Sequence, residues 1–320
     1  MSGEPLLTVS GVSKSFRVGR QRLHAVRNVS FVLPAGQTLG LVGESGSGKS
    51  TLGRLALALL KSDSGSVEFD GNQLSSLSDR QLRAKRKDMQ LIFQNPLGAL
   101  NERSTVGRNV MDPLTVHGMG DLEEKTKRVH RMLERVGLQR MHADAYPFEL
   151  SGGQQQRVMI ARALILEPKL VVCDEALSAL DVSVQAQILD LLLQLQRERH
   201  LSYVFIAHNL TAVSYISDWI GVMYLGEIVE LAPADELLES PSHPYTKALF
   251  DSVLDIPESK EARSELEALP GEIPSPIDLP SGCSFHTRCP LAVEKCRTLR
   301  PIDRMVSPSH RVACHFAGEV

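Results

Sequence analysis

Aromatic residues make up only 5% of the 320-residue chain, tryptophan occurs once, and a single cysteine, Cys173, precedes residue 283. So few aromatics leave no stacking platform for single-stranded nucleic acid. A basic surplus is missing as well: 35 Lys and Arg face 38 Asp and Glu, for a formal net charge of −3. No global field therefore recruits nucleic acid or acidic lipid. Long apolar runs are also absent. Leu55 to Leu60 is short, and Ile188 to Leu195 is broken by Asp190 and Gln194, well under the roughly 18 residues a spanning helix needs. The opening Met1-Ser-Gly-Glu-Pro5 lacks the basic and apolar regions of a signal peptide. The expected location is the cytoplasm, where thiols stay reduced. What is present, 42% hydrophobic and 23% charged residues, suits a globular chain that buries a real core. The length predicts one large domain with a smaller appendage.

Strand-like apolar runs alternate with helical stretches in the first half, the pattern of an α/β domain around a largely parallel buried sheet. Thr38 to Gly43, Leu170 to Cys173 and Tyr203 to Ala207 read as buried strands, and Ser50 to Leu60 as a helix. Ser183 to Arg199 is a second helix, with Val184, Ile188, Leu191, Leu192 and Leu195 at helical spacing. From about 94 to 167 the texture turns helical. There Asp121 to Val136 begins acidic and turns basic, as the helix dipole favours, and the stretch reads as a helical subdomain inserted in the core. Beyond residue 240 the prolines 241, 244, 257, 270, 274, 276 and 280 cut the chain into short pieces around one charged helix, Glu258 to Leu269. This predicts a separate module, residues 241–320, on a stiff linker after a first domain of residues 1–240.

Gly43-Glu44-Ser45-Gly46-Ser47-Gly48-Lys49-Ser50 fits the P-loop pattern G-x-x-x-x-G-K-[ST], and it stands after an apolar strand and before a helix. Glycines there let backbone N–H groups converge on phosphate at a helix N-terminus. Lys49 would reach the β- and γ-phosphates and the Ser50 hydroxyl would ligate Mg²⁺. The strand Leu170 to Cys173 ends in Asp174-Glu175. Alone, that would be a junction that merely exposes acids. Beside a complete P-loop, Asp174 serves the Mg²⁺ shell and Glu175 polarises a water for in-line attack on the γ-phosphate.

Leu150-Ser151-Gly152-Gly153-Gln154, followed by a helix from Gln155 to Leu166, resembles the signature motif of ATP-binding-cassette proteins residue for residue. The resemblance implies a RecA-like P-loop nucleotide-binding domain with an antiparallel β subdomain, the inserted helical subdomain and a small C-terminal cysteine-containing module. It also implies an ATP- and Mg²⁺-dependent ATPase. Other landmarks follow in order: Phe16 as the aromatic that stacks on adenine, Gln94 as the Q-loop residue that senses Mg²⁺, Ser178 to Asp181 as the D-loop, and His208 as the switch histidine. By this resemblance Glu175, His208, Lys49 and Gln94 carry the chemistry, and Gly43 to Thr51 cradle the nucleotide. Ser151, Gly152, Gly153, Gln154 and Asp181 meet ATP bound to a partner cassette. Ala176 and Asn209 depart from the family's usual Pro and Asp. Neither position supplies a phosphate or metal ligand, though loss of the proline loosens the turn that carries Glu175.

Phe93 to Asn101, Ser240 to Leu249 with its His243-Pro244-Tyr245 core, Leu269 to Pro276 and Gly282 to Pro290 resemble the oligopeptide/dipeptide importer branch, most closely the second ATPase subunit of dipeptide permeases. That branch implies a heterodimer with a second cassette, two transmembrane permease subunits, an extracytoplasmic binding protein, no nucleic acid, and a peripheral place on the cytoplasmic face of the inner membrane. Cys283, Cys289, Cys296 and Cys314 are separated by five, six and seventeen residues, without the C-x₂-C pairs of structural zinc. Spacing alone leaves iron–sulfur, zinc and free thiols open, with a disulfide disfavoured in the cytoplasm. His286, His310 and His315 are conceivable substitute ligands. Family resemblance favours a [4Fe–4S] cluster on the four cysteines, as a structural or regulatory staple, with zinc as the alternative. Cys173 reads as a buried core thiol.

Other readings are a soluble cassette ATPase acting on ribosomes or DNA, a degenerate cassette that holds ATP without hydrolysing it, and an importer of nickel chelates, glutathione or opines. The single P-loop, the absence of a long heptad run and the intact Lys49, Asp174, Glu175 and His208 weigh against the first two.

Overall fold

The computed structural model describes residues 4–94, 96–177, 180–254 and 271–318. The helix expected over Glu258–Leu269 and the first two residues of the expected D-loop, 178 and 179, lie outside the described residues. Two sheets organise the chain. The N-terminal part is an antiparallel sheet made of a long hairpin, β1 (Pro5–Val18) and β2 (Gln21–Pro34), with β4 (Ser64–Phe69) and the short β5 (Asn72–Gln73) beside it, in the order β2-β1-β4-β5.

A larger sheet carries the site. Its parallel strands are β3 (Thr38–Val42), β6 (Met89–Ile92), β7 (Leu170–Asp174), β8 (Ser202–Ile206) and β9 (Trp219–Tyr224). β10 (Glu227–Pro233), β11 (Arg304–Ser307) and β12 (His310–Val312) extend it antiparallel, giving the order β11-β12-β10-β9-β3-β8-β7-β6. Its parallel strands are buried on both faces. Leu170 and Val172 of β7, with Val204 and Ile206 of β8, join the core shared with the antiparallel sheet and Leu52, Leu55 and Ala56. Val171, Cys173, Tyr203 and Phe205 face the other core, built with the helices. This period-two division is why the strands read as unbroken apolar runs rather than alternating ones. Cys173 is fully buried, and burial pushes its thiol far up, in keeping with a core residue.

Short α1 (Lys49–Ala56) follows β3, and α2 (Asp79–Lys85) precedes β6. Between β6 and β7 lie α3 (Pro96–Ala99), α4 (Val106–Val116), α5 (Leu122–Arg135) and α6 (Gly152–Leu164). Asp121 caps α5 by accepting from the Glu124 amide at 2.9 Å, within a residue of the expected start. α6 begins three residues earlier than expected. Ser151 accepts from the Gln154 amide at 3.4 Å while Gln154 accepts from the Ser151 amide at 3.0 Å, a reciprocal cap that carries both glycines into the first turn. Toward the end of the chain come α7 (Val182–Arg199), α8 (Leu210–Ile216), α9 (Ala234–Glu239), α10 (Pro244–Leu254) and α11 (Glu294–Thr298). No helix among the described residues is long and apolar enough to cross a membrane.

The tail is not set apart as its prolines suggest. β12 pairs with β10 through Glu230–Val312 and Leu231–Arg311, so the last strands continue the central sheet. Pro276 lies against the N-terminal hairpin, where the His24 amide donates to its carbonyl at 3.0 Å. A sheet edge presents unpaired backbone groups, and the β11–β12 hairpin pairs with that edge of β10 at Glu230 and Leu231.

Candidate functional site

β3 delivers the chain to Gly43, and the turn that follows wraps the start of α1. Gly48 precedes that helix with φ near +101°, and a Cβ there would stand 2.1 Å from the Ala25 carbonyl oxygen, so only glycine fits. The Leu225–Gly226 turn between β9 and β10 supports the loop from behind: the Gly226 amide donates to the Ser47 carbonyl at 2.9 Å. Sequence reasoning missed this support, since the turn lies far along the chain.

The Lys49 ammonium folds across the loop and donates to the carbonyls of Gly43 at 2.7 Å and Glu44 at 2.9 Å and to Ser47 Oγ at 3.3 Å. Burial lowers its pKa, while the carboxylates of Glu175, Asp174 and Glu44 pull the other way. Ser45 and Gly46 are exposed at the loop tip, and Thr51 follows half-buried on α1. Ser50 Oγ donates to Asp174 Oδ1 at 2.5 Å, and Arg54 lies 3.7 Å from Asp174 Oδ2. Glu175 comes next, at φ near +48°, with its amide fixed on the Ile206 carbonyl at 2.9 Å. Its carboxylate accepts from Gln94 Nε2 at 2.8 Å. The structure thus gathers Lys49, Ser50, Asp174, Glu175 and Gln94 at the C-terminal ends of neighbouring strands, where open α/β sheets bind ligands. Ser50 and Asp174 offer the hard oxygen donors that Mg²⁺ takes.

His208 is exposed just past β8. Asn209 beside it caps α8 by accepting from the Thr211 and Ala212 amides, so the departure from Asp keeps a capping oxygen. Ala176 is buried. Phe16 lies on β1, 37% exposed, with the Lys14 ammonium 5.8 Å from its ring centre. Asp181 caps α7 on the Val184 amide, a bond that, with one from Ser183, holds its carboxyl below the usual range. Ser151 and Gly152 are exposed, and among the described residues no hydrogen bond joins Ser151, Gly152, Gly153 or Gln154 to the P-loop.

The four tail cysteines lie within electrostatic range of one another: the pKa values of Cys283 and Cys289 are raised first by burial and then by neighbouring thiols, and that of Cys314 first by burial and then by Cys296 and Glu230. Cys283 is pushed up to about 12. Gly282, at φ near +65°, lets the Cys283 amide reach the Cys296 carbonyl at 2.8 Å; a Cβ there would meet that same oxygen at 2.4 Å. Among the described residues no group of three His, Cys, Asp or Glu side chains converges on a single metal ion. The candidate substitute ligands are engaged elsewhere: His286 Nδ1 on the Cys283 carbonyl, His310 on Glu230, and His315 Nε2 on the Leu299 carbonyl.

A phosphate-binding loop whose serine meets the aspartate at the end of β7, with a glutamate and a glutamine beside it and a serine-capped Gly-Gly helix start elsewhere, defines an ATP-binding-cassette ATPase. Residues 26–178 match the family model described as ABC transporter, and residues 229–296 match that of the oligopeptide/dipeptide transporter C-terminal region. The oligopeptide transport ATP-binding protein AppF of Bacillus subtilis is 48% identical, over 91% of this chain and 89% of its own length. The di/tripeptide transport ATP-binding protein DppF of Pseudomonas aeruginosa is 42% identical over 99% of each. The chain belongs to the ATP-binding subunits of the oligopeptide/dipeptide ABC transporter family. Among solved structures, a dimeric ATP-binding cassette in a post-hydrolysis state with ADP and Pi matches 71% of this chain and 98% of its own at a TM-score of 0.66 and 31% identity. The cassette cbiO1 of Clostridium perfringens matches 74% and 92% at a TM-score of 0.67 and 27% identity.

Proposed function

We propose that this subunit powers the import of short peptides from the cytoplasmic face of the membrane, paired with a second, different cassette and docked on two permease subunits that an extracytoplasmic binding protein serves. The observation that carries the ATPase assignment is the 2.5 Å contact between Ser50 and Asp174 beside the Gln94–Glu175 pair. Ser50 and Asp174 would hold Mg²⁺, with Gln94 on its outer side. The ion would neutralise charge on the β- and γ-phosphate oxygens. Lys49 would exchange its carbonyl partners for those phosphates, since its ammonium already spans the loop. Glu175 polarises the attacking water, and Gln94 orients that carboxylate. His208 contacts the γ-phosphate, and Phe16 stacks on adenine. The exposed N-terminus of α6, with Ser151, Gly152, Gly153 and Gln154, caps the ATP of the partner cassette, with Asp181 at the same interface; its exposure and its lack of bonds to this chain's own P-loop support that role.

Cys283, Cys289, Cys296 and Cys314 would hold a [4Fe–4S] cluster. What supports this reading is that the four thiols act on one another electrostatically and that four thiolates are the number such a cluster takes. The cluster would supply a cross-link between the turns of a small segment. Chain purified without oxygen is expected to carry about four iron and four sulfide per chain, lost on Cys296→Ser; stoichiometric zinc in colourless protein would refute it.

Reconstitution tests transport. In proteoliposomes holding the two permease subunits and both cassettes, with the binding protein added, labelled di- and tripeptides are taken up only with ATP and only when this subunit is present. Uptake of a nickel chelate, glutathione or an opine, with none of peptides, would overturn the substrate assignment.

A further inference from the structure

The residues that brace the P-loop on its outer side come from the far end of the chain. Glu44, the first residue after Gly43, is held at three points. Its carbonyl accepts from Lys49 at 2.9 Å, its amide donates to Tyr245 Oη at 2.9 Å, and its carboxylate accepts a two-pronged pair from Arg288, Nη1 to Oε2 at 2.8 Å and Nη2 to Oε1 at 3.0 Å. Two of the three partners thus lie about 200 or more residues away in sequence.

An ion pair on the surface would contribute little. This one is not on the surface: the Arg288 side chain is 4% exposed and that of Glu44 22%. A fork-on-fork pair fixes direction as well as distance, and removing either partner strands a buried charge. The anchors are themselves fixed. Tyr245 packs with Tyr224 and Phe285 at ring separations of 4.7 and 5.4 Å, and Arg288 lies 5.9 Å over the Tyr224 ring. Arg288 immediately precedes Cys289, so the cysteine-bearing segment is tied to the loop by one side chain.

We propose that Arg288 and Tyr245 are positioning residues of the nucleotide site, holding Glu44 so that the loop amides already converge before ATP arrives. This rests on the reading of Gly43–Ser50 as the phosphate cradle. Neither residue is part of the Gly43–Ser50 loop itself; each reaches it through Glu44. A loop ordered in advance loses less conformational freedom when phosphate binds, and that difference appears as affinity. The C-terminal segment is then a working part of ATP binding.

A double-mutant cycle on the full-length chain tests this, with a fluorescent ATP analogue and Mg²⁺ as the probe. Glu44→Gln and Arg288→Gln are each expected to weaken binding about tenfold, and the double variant no further, because both break one interaction. Arg288→Lys keeps the charge and loses the fork, so it should fall between. In the assembled transporter the KM for ATP rises while kcat changes little, a split that a merely structural role would not give. Additive losses, or Arg288→Gln binding within twofold of the parent, would overturn the proposal. Should Arg288→Gln fail to fold, Glu44→Gln and Arg288→Lys carry the same comparison, and normal affinity in both would overturn it as well. Lys49→Ala separates the two ideas: if it abolishes binding while the Arg288 variants bind normally, the cradle stands and the positioning role falls. If Lys49→Ala itself binds normally, the cradle reading fails.

Discussion

Glu175→Gln is expected to lower ATP turnover by the assembled transporter by about 10³-fold, the size of a lost general base, while ATP affinity stays near that of the parent. The geometry separates the two neighbouring acids. Asp174 is 5% exposed and committed to Ser50 and Arg54, so it has no freedom to serve a water. Glu175 is half-buried at the mouth, oriented by Gln94 and close enough to Lys49 to be the largest of the three charges that raise the lysine's pKa against burial. Its backbone sits in the left-handed region, which costs a side-chain-bearing residue about 1–3 kcal/mol and is maintained by the hydrogen bond its amide donates to the Ile206 carbonyl. Glutamine keeps size, conformation and a hydrogen-bonding oxygen for Gln94, and removes only the charge that the proposed base would use to draw a proton from water. Single-turnover hydrolysis together with equilibrium nucleotide binding checks both halves. A fall in turnover smaller than about tenfold would move the base to another residue.

The parts of the site that could be read in advance are those whose chemistry is local. The glycines from 43 to 48 must lie next to Lys49 and Ser50 because successive amides form the cradle; α5 declares itself by its acid-to-base charge order and α7 by apolar spacing, and the structure adds the capping aspartates Asp121 and Asp181. The early start of α6 was legible too: Ser151-x-x-Gln154 is a capping signature, outweighed by the poor helix propensity of two glycines. Other features carry no local signal. The β1–β2 hairpin shifts register several times, so its polar and apolar residues never alternate cleanly. β12 is only three residues long, too short for a pattern, and its partner β10 lies some 80 residues earlier. The prolines of the tail mark where regular structure stops; they do not say whether the extended pieces leave the body or lie along it. Arg288 and Glu44 are 244 residues apart, and only the fold makes them neighbours.

The same distance hides the contact with the largest expected effect on stability. Glu230→Leu should destabilise the chain by about 3–5 kcal/mol, as the loss of one partner from a buried polar cluster does. Glu230 is 1% exposed on β10, and its carboxylate accepts from the Ser242 amide at 2.6 Å and the His243 amide at 3.0 Å, while His310 Nε2 lies 2.7 Å from Oε1. Leucine would leave two backbone donors and the His310 Nε2 without partners, with only His310 Nδ1 still facing Glu236 at 3.5 Å, and each unmet group costs about 1–3 kcal/mol. The loss is not confined to β10. His243 leads into α10, and its Nδ1 accepts from the Tyr245 amide at 3.0 Å; burial pushes the imidazole down to about 4, so at neutral pH that nitrogen is free to accept. Tyr245 in turn holds the Glu44 amide. A single carboxylate on the central sheet thus fixes the tail through His310, the start of α10 through Ser242 and His243, and through Tyr245 the P-loop itself. Thermal unfolding of the full-length chain reads the stability, and cleavage by a protease in the last 20 or so residues, before global unfolding, reads release of the β11–β12 hairpin. ATP at saturating concentration should recover part of the lost stability, because it binds only the folded loop. An unfolding midpoint within a degree or two of the parent, with the tail still protected, would mean that Glu230 is dispensable and that the tail is held by its strand pairing alone.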